Sequence, residues 1–163
     1  MPEVISDTSP IQYLYQTNLL DLLTTLYGQI ILPQAVIDEL AEGRNLGVAL
    51  PDPASLSWVT VRQAQDFFPI DSVIENLGAG ERETLALALE IPGSLVLLDD
   101  ALARSYARSL EVRFTGTLGV LLKAKQSGYL TAVMPILDQL DNLGFRLDLS
   151  TRATVLRLAE ESL

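Results

Sequence analysis

Short apolar segments alternate with stretches of helical periodicity along this chain, and this alternation constrains the fold more than any other feature. The predicted strands are Val4 to Ser6, Gln29 to Leu32, Leu56 to Val61, Ser94 to Leu98 and Val112 to Phe114. Apolar residues between them recur every three or four positions, which is typical of helices. Alternating strands and helices form βαβ units, so we predict a three-layer α/β/α sandwich with a central, mainly parallel sheet.

The predicted helices have recognisable ends. The first begins with Ser9 as N-cap, Pro10 in the first turn and Gln12 completing a capping box, and it continues to Gly28. Further helices are predicted from Pro33 to about Glu42, near Ser72 to Leu77, and over Glu81 to Glu90, Ala101 to Leu110, Leu118 to Gln126, Val133 to Leu143 and Thr151 to Glu161. The chain therefore ends in a helical tail, and we expect residues 1–163 to form a single domain.

The chain contains neither cysteine nor histidine. This excludes disulfides, thiolate nucleophiles, imidazole bases and most zinc sites, so any catalysis must use carboxylates, hydroxyls, Lys or Arg. No apolar run approaches the ~18 residues that cross a bilayer. Met1-Pro2-Glu3 also lacks the basic charge of a secretory signal. We expect a soluble, cytoplasmic protein that does not enter the membrane.

The formal net charge is −10, from 21 acidic and 11 basic residues. Such a charge disfavours loose binding to phosphate backbones, which normally requires a basic surface. Acids gathered at one site would lose part of this charge to a bound cation. A basic partner protein would also suit the surface.

Acidic residues directly follow two of the predicted strands. Asp7 comes after the first strand, and Asp99 and Asp100 come after Ser94 to Leu98. Ligands of parallel sheets bind at the carboxyl ends of strands, so these acids are predicted to share one rim. The alternative is that Asp7 caps a turn and the aspartate pair complements a helix dipole.

Glu81 is predicted to point inward. Leu85 and Leu89 mark the buried stripe of its helix, and Glu81 lies one turn before Leu85 on that stripe. A buried carboxylate must be protonated, paired or bound to metal. Alternatively, Glu81 stays in the first turn as a dipole partner. Glu83 and Glu90 project from the opposite side and are expected in solvent.

Glu39 stands at the edge of a core-facing stripe marked by Val36 and Leu40, whereas Asp38 points to water. An ordinary charge beside a core face would give the same pattern. With Glu39, acids from four separate elements approach one sheet edge. Carboxylates without His or Cys match the oxygen ligands of Mg²⁺ or Mn²⁺, and such a site suits phosphodiester hydrolysis.

Four ordered motifs carry a resemblance to a known family. They are Val4 to Pro10, Val36 to Leu40, Gly80-Glu81 opening an Ala/Leu-rich helix, and Leu97 to Asp100. In this order they resemble the PIN-domain family, and Thr115 to Val120 resembles a bacterial and archaeal branch of PIN-like proteins. The resemblance covers nearly the whole chain. It implies an α/β/α sandwich with an acidic pocket, usually a metal-dependent ribonuclease and often the toxin of a toxin–antitoxin pair.

The resemblance also implies roles for individual residues. Asp7 matches the first family acid, Glu39 the second and Glu81 the third, which is commonly Asp. The fourth is Asp99 or Asp100, with Asp100 preferred. A Glu at position 81 is longer than the usual Asp, which affects how a metal is held. The metal ligands are then Asp7, Glu81 and the aspartate pair.

Other residues are candidates for contact with substrate. Ser9 resembles the hydroxyl residue that positions the first acid or a water, although it also fits a plain N-cap. Thr115 and Thr117 flank Gly116 at a helix start and are predicted to meet a phosphate; a tight turn explains them equally well. Four basic residues are further candidates for phosphate contact, or else a solvated helix face: Arg104, Arg108, Lys123 and Lys125.

The sequence leaves other functions open. One is a catalytically silent PIN-like module that binds a protein partner or nucleic acid, which the net charge of −10 favours. Another is an aspartyl-phosphate enzyme or receiver that uses Asp7 or Asp99-Asp100, although Ser9 stands where a dehalogenase-like phosphatase usually has a second Asp. The leading hypothesis is an RNA-cleaving toxin with a small antitoxin partner. The apolar segment Leu19 to Leu26 and the terminal helices indicate a homodimer, or else intramolecular core.

Overall fold

Five short strands form one parallel sheet in a computed structural model that describes residues 2–67 and 76–161. The strands are β1 (Val4–Ser6), β2 (Ile30–Pro33), β3 (Val59–Arg62), β4 (Leu95–Leu97) and β5 (Arg113–Thr115). Their order is β3-β2-β1-β4-β5, and each neighbouring pair is parallel. β1 is therefore central, and its carboxyl end lies beside that of β4.

Helices cover both faces of the sheet. Within the described residues they are α1 (Thr8–Gln16), α2 (Leu22–Tyr27), α3 (Gln34–Asn45), α4 (Ala79–Glu90), α5 (Ala101–Ser109), α6 (Thr117–Gln126), α7 (Met134–Asn142) and α8 (Leu149–Leu158). A 3₁₀ turn spans Pro53–Ser55. In the part of the chain that the structure describes, every helix is too short or too polar to cross a membrane.

Successive residues of the central strands enter two different apolar clusters. Val4 and Leu97 pack with α1, α2, α3, α6, α7 and α8. Ile5 and Val96 pack with α4 and α5 on the opposite face. Because neighbouring side chains of a strand point to opposite faces, a sheet covered on both sides requires apolar residues at every position. The predicted three-layer α/β/α sandwich and its helical tail are confirmed.

The start of α1 differs from the prediction. The helix begins at Thr8, and its N-cap residue is Asp7, whose side chain makes no capping bond. The Ser9 cap and the capping box with Gln12 are therefore wrong. The Asp7 N–H still bonds Leu97 O, 3.0 Å away, as a continuation of the sheet. The chain thus turns into helix one residue after its last backbone hydrogen bond with β4.

The predicted long first helix is divided into α1 and α2. Thr17 closes α1 by donating its hydroxyl to Tyr13 O and Leu14 O. Asn18 then adopts φ 60°, a left-handed conformation that asparagine tolerates better than most residues. Apolar spacing alone did not reveal this break, because Leu22 and Leu26 enter the same cluster as α1.

Other boundaries shift by a few residues. α3 continues to Asn45 because Gly43, the predicted stop, lies within the helix where Leu50 packs against it. β3 begins at Val59, three residues later than Leu56. The predicted short helix near Ser72 to Leu77 falls largely on residues 68–75, outside the described residues.

The prediction that Glu83 and Glu90 lie in solvent is wrong. Glu83 is 6% exposed, and its carboxylate accepts hydrogen bonds from Ala35 N–H at 2.7 Å and Ala64 N–H at 3.1 Å. Glu90, half-buried, accepts from the N–H groups of Gln65 and Asp66. Glu83 thereby ties the first turn of α3 to α4 and to the segment after β3. This tie fixes the helix that carries Glu39.

Replacing Glu83 with Ala is expected to destabilise the protein by about 3 kcal/mol, because two N–H groups lose their acceptor and a buried donor without a partner costs about 1–3 kcal/mol. Glu90→Ala is the matched control on the same helix. Its partners are exposed and can turn to water, so we expect a loss below about 1 kcal/mol. Urea denaturation of both variants measures the difference. Equal losses would show that Glu83 contributes no more than a surface carboxylate.

Candidate active site

The sheet brings the predicted acids of β1 and β4 together. Ser6 pairs with Leu97, so Asp7 leaves β1 at the level where β4 ends and delivers Asp99 and Asp100. Asp7 is 4% exposed. Asp99 is half-buried, whereas Asp100 is exposed and caps α5 by accepting from Ala103 N–H at 2.9 Å. The expectation that these strand ends share one rim agrees with this topology.

Glu39 reaches the same place from α3. Its Oε1 accepts from the Thr8 hydroxyl at 2.5 Å, and its Oε2 accepts from Gly80 N–H at 3.0 Å. A Cβ atom on Gly80 would lie 2.5 Å from Glu39 Oε1 and 3.0 Å from Asp7 Oδ1. These two oxygens therefore stand around one point. Gly80 is required there because a side chain would displace the acids.

Glu81, in the first turn of α4, points toward the other acids as predicted. Its Oε2 is buried and has no hydrogen-bond partner, as is also true of Asp7 Oδ1. A Gly78 backbone bond and a side-chain bond with Asp100 hold the rest of the carboxyl group. Buried oxygens without a donor are costly unless they are protonated or meet a cation.

Burial and mutual repulsion change the acidity of this cluster. Burial is the main cause that raises the pKa of Asp7 to about 8, and Glu81, Glu39 and Asp99 add to it, while the Thr8 backbone lowers it. Burial also raises the pKa of Glu81 to about 7, helped by Asp100 and Glu39. The carboxyl groups that follow β1 and β4 and those on α3 and α4 therefore lie close enough to repel one another, as expected for one acidic pocket.

Asp99 is held more firmly than Asp100. Its Oδ1 accepts from Thr117 N–H and its Oδ2 from the Thr117 hydroxyl, both at 2.7 Å. Burial raises the pKa of Asp99, and the two Thr117 bonds and Arg104 oppose that rise. Asp100 instead contacts Glu81. Asp99 and Asp100 occupy different places in the pocket, and both remain candidates for the fourth family acid.

Removing the Thr117 hydroxyl in Thr117→Val is expected to cost about 1.5–3 kcal/mol, because a hydrogen bond to a charged group is lost inside the protein. Asp99→Asn in the same background provides a double-mutant cycle. A coupling between positions 99 and 117 near zero in urea denaturation would show that this bond contributes nothing. Thr115→Val, which leaves Asp99 untouched, is the matched control.

Three of the acids, Glu81, Asp99 and Asp100, line a cavity of about 540 Å³. Ser9 and Arg146 also line it. Ser9 is not the N-cap but lies beside these acids, and its predicted contact with substrate remains a prediction. Tyr13 and Phe145 also line this cavity, with their rings edge to face at 5.0 Å.

Sequence reasoning missed two residues of this site. Thr8 binds Glu39, yet it follows Asp7 in sequence and looked like part of a turn. Arg146 lies between α7 and α8, in a stretch without periodicity, and carried no signal. For Thr115 and Thr117 the predicted phosphate contact remains a prediction; in the structure both polar groups of Thr117 bind Asp99, and the Thr115 carbonyl accepts from Leu98 N–H.

The donor set fits a hard divalent ion. Carboxylate oxygens are the ligands that Mg²⁺ and Mn²⁺ prefer, and two of those in the pocket lack any other partner. Within residues 2–67 and 76–161, no three acidic side chains already stand at the spacing of a metal site. Separation is the expected state of acids that repel one another and share protons, because ligands must be deprotonated before a metal draws them together.

The fold is a parallel α/β/α sandwich whose acids lie at the carboxyl ends of its central strands, where parallel sheets bind their ligands. Within this fold class the chain belongs to the PIN-domain family, because the family model DUF3368, described as a PIN domain, matches residues 3–161. PIN domains are in general nucleases that act on nucleic acid with divalent metal ions. No curated protein matches the sequence.

Proposed function

We propose that this protein is a metal-dependent endoribonuclease that hydrolyses phosphodiester bonds with carboxylate-bound Mg²⁺ or Mn²⁺. The observation that carries the proposal is the pair of buried oxygens, Asp7 Oδ1 and Glu81 Oε2, which lie among other acids and have no hydrogen-bond partner. Buried oxygens without a hydrogen-bond donor lower the stability of the fold, so selection for stability alone would not keep them. A bound cation offsets their cost and gives them a use.

Each acid has a proposed role. Asp7, Glu81, Asp99 and Asp100 hold the ion, which when bound supplies an activated water and neutralises charge developing on the phosphate. Glu39 orients the attacking water and accepts its proton, because Thr8 and Gly80 fix its carboxyl group beside Asp7.

Two further residues complete the proposed site. Thr117 holds Asp99 in place through its N–H and hydroxyl groups. Ser9 donates its hydroxyl to a phosphate oxygen from the wall of the cavity.

Cleavage of a mixed set of RNAs tests this proposal. We expect cleavage in Mn²⁺, its loss in excess EDTA, and its return when Mn²⁺ is restored, because in this proposal the bound ion activates the attacking water. A preparation free of host nucleases is confirmed with the Glu39→Gln variant purified in parallel. RNA that stays intact in Mn²⁺ and Mg²⁺ would exclude the proposed activity.

A toxin role follows as the cellular form of the proposal. The net charge of −10 suits a small basic antitoxin that covers the acidic pocket. The same charge supports the second candidate, a catalytically silent module that binds a protein partner. Co-purification with the product of the adjacent reading frame separates them: an antitoxin suppresses RNA cleavage, whereas the partner of a silent module binds equally well when Asp7 is replaced. Light scattering tests the predicted homodimer.

A further inference from the structure

A second cavity adjoins the acidic one. It has a volume of about 320 Å³ and shares Asp99, Phe145 and Arg146 with the acidic cavity. Arg104, Gly116 and Gly119 also line it. A chain that enters the acidic cavity can therefore continue past Phe145 into the second cavity without leaving the surface of the protein.

The second cavity differs from the first in its charge. Arg104 and Arg146 both face it, and Arg146 forms no ion pair within the described residues. The Nε atom of Arg104 is buried and lacks an acceptor. Since a buried N–H group normally has a partner, this atom points to an absent acceptor.

Among the residues that the structure describes, Asp99 is the one acid that lines the second cavity, and both its oxygens already accept hydrogen bonds from Thr117. The charge of Arg104 also lowers the pKa of Asp99 against the effect of burial. The Arg104 guanidinium lies over the Phe114 ring, with Cζ 5.1 Å from the ring centroid. An anion in the cavity therefore meets two arginines, one of them held in position by an aromatic ring.

We propose that Arg104 and Arg146 bind a phosphate of the RNA strand next to the one that is cleaved. This inference rests on the proposed ribonuclease function and adds a positioning subsite to it. The acidic cavity repels an RNA backbone until metal binds, so a neighbouring basic subsite supplies attraction that does not depend on the ion. It also fixes the direction in which the strand crosses the pocket.

Cleavage of a short single-stranded RNA in Mn²⁺, with one phosphate at a time replaced by a neutral methylphosphonate, tests the subsite. For the native protein we expect one position beside the cleaved bond at which the neutral linkage lowers kcat/KM about tenfold or more, the usual effect of losing a charge-assisted hydrogen bond. In Arg104→Ala/Arg146→Ala the unmodified RNA loses a similar factor. The neutral linkage then costs nothing further at that position.

Arg108→Ala is the matched control, because Arg108 stacks on the same Phe114 ring at 5.2 Å but does not line the cavity. It should keep the position-dependent loss. Arg146→Ala alone, an exposed substitution, provides the measurement if the double variant does not fold. A neutral linkage that costs the same in native and variant proteins would overturn the subsite.

Failure of the subsite is distinguishable from failure of the proposed function. If the native protein cleaves RNA but shows no coupling between a phosphate and the arginines, the subsite is overturned and the proposed ribonuclease activity is supported. If the native protein cleaves no RNA, the proposed ribonuclease activity is overturned. Fluorescence anisotropy with the same RNAs then measures the coupling in binding alone, and its presence supports the subsite while its absence overturns it.

Discussion

The Asp7→Asn variant is expected to fold normally and to cleave RNA about a thousandfold more slowly than the native protein in Mn²⁺. Asp7 is the residue on which the others converge: Glu81, Glu39 and Asp99 all act on its carboxyl group. A metal that polarises water and phosphate contributes several kcal/mol to catalysis, and about 1.4 kcal/mol corresponds to a tenfold change in rate. Loss of this proposed ligand is therefore expected to remove most of the rate.

Asparagine tests the charge rather than the shape of this side chain. Its amide has nearly the volume of the carboxyl group, and its oxygen can still accept the Thr8 backbone bond that Asp7 accepts. Cleavage of a fluorescent RNA at matched protein concentration gives the rates. Asp38→Asn is the control, because Asp38 is exposed on α3 next to Glu39 and binds Gln34. A rate for Asp7→Asn within tenfold of native would place the chemistry elsewhere.

The elements that position the pocket could be predicted from sequence because their signals are local. Buried parallel strands are apolar at every position, and residues that follow them must lie at one edge of the sheet. This rule alone was enough to predict that Asp7, Asp99 and Asp100 lie at one edge of the sheet. Glu39 needed helical periodicity as well, and it was located correctly at the edge of a buried stripe.

The errors come from long-range contacts. Periodicity assumes that a helix has one buried face, but α4 is buried on nearly every side from Gly80 to Ala88. Glu83 therefore lies inside the protein, where backbone N–H groups from distant segments make its burial acceptable. Ser9 has the sequence pattern of a cap, yet the sheet bond of Asp7 decides where α1 begins. Arg146 enters the pocket from a loop, which no local pattern places.

The acidic pocket is also expected to destabilise the metal-free protein as pH rises. The pKa of Asp7 is about 8 in the folded protein and near 3.8 when unfolded, so the folded state binds the extra proton between these values. Stability contributed by that proton is present at low pH and lost as pH approaches 8. Glu81, with a pKa of about 7 against 4.5, adds to the loss between pH 4.5 and 7.

Asp7→Asn is therefore expected to be more stable than the native protein at pH 8 in EDTA, by on the order of 5 kcal/mol. Near pH 4 the two should agree, since Asp7 is protonated in the folded protein and resembles the amide. Urea denaturation at pH 4, 6 and 8 measures the difference. Asp141→Asn, which removes an exposed acid of α7, is the matched control and should follow the native curve.

Saturating Mn²⁺ should reduce this difference in stability at pH 8. An ion that binds the folded state alone stabilises it by about 2.7 kcal/mol at a hundred times its dissociation constant, and the native pocket offers the ligand that Asp7→Asn lacks. In Mn²⁺ the free energy of unfolding of the native protein should therefore change little above pH 6, whereas that of the variant should equal its value in EDTA. Native and variant curves of equal slope in EDTA would mean that Asp7 ionises freely, and the acids would then not be confined in one pocket.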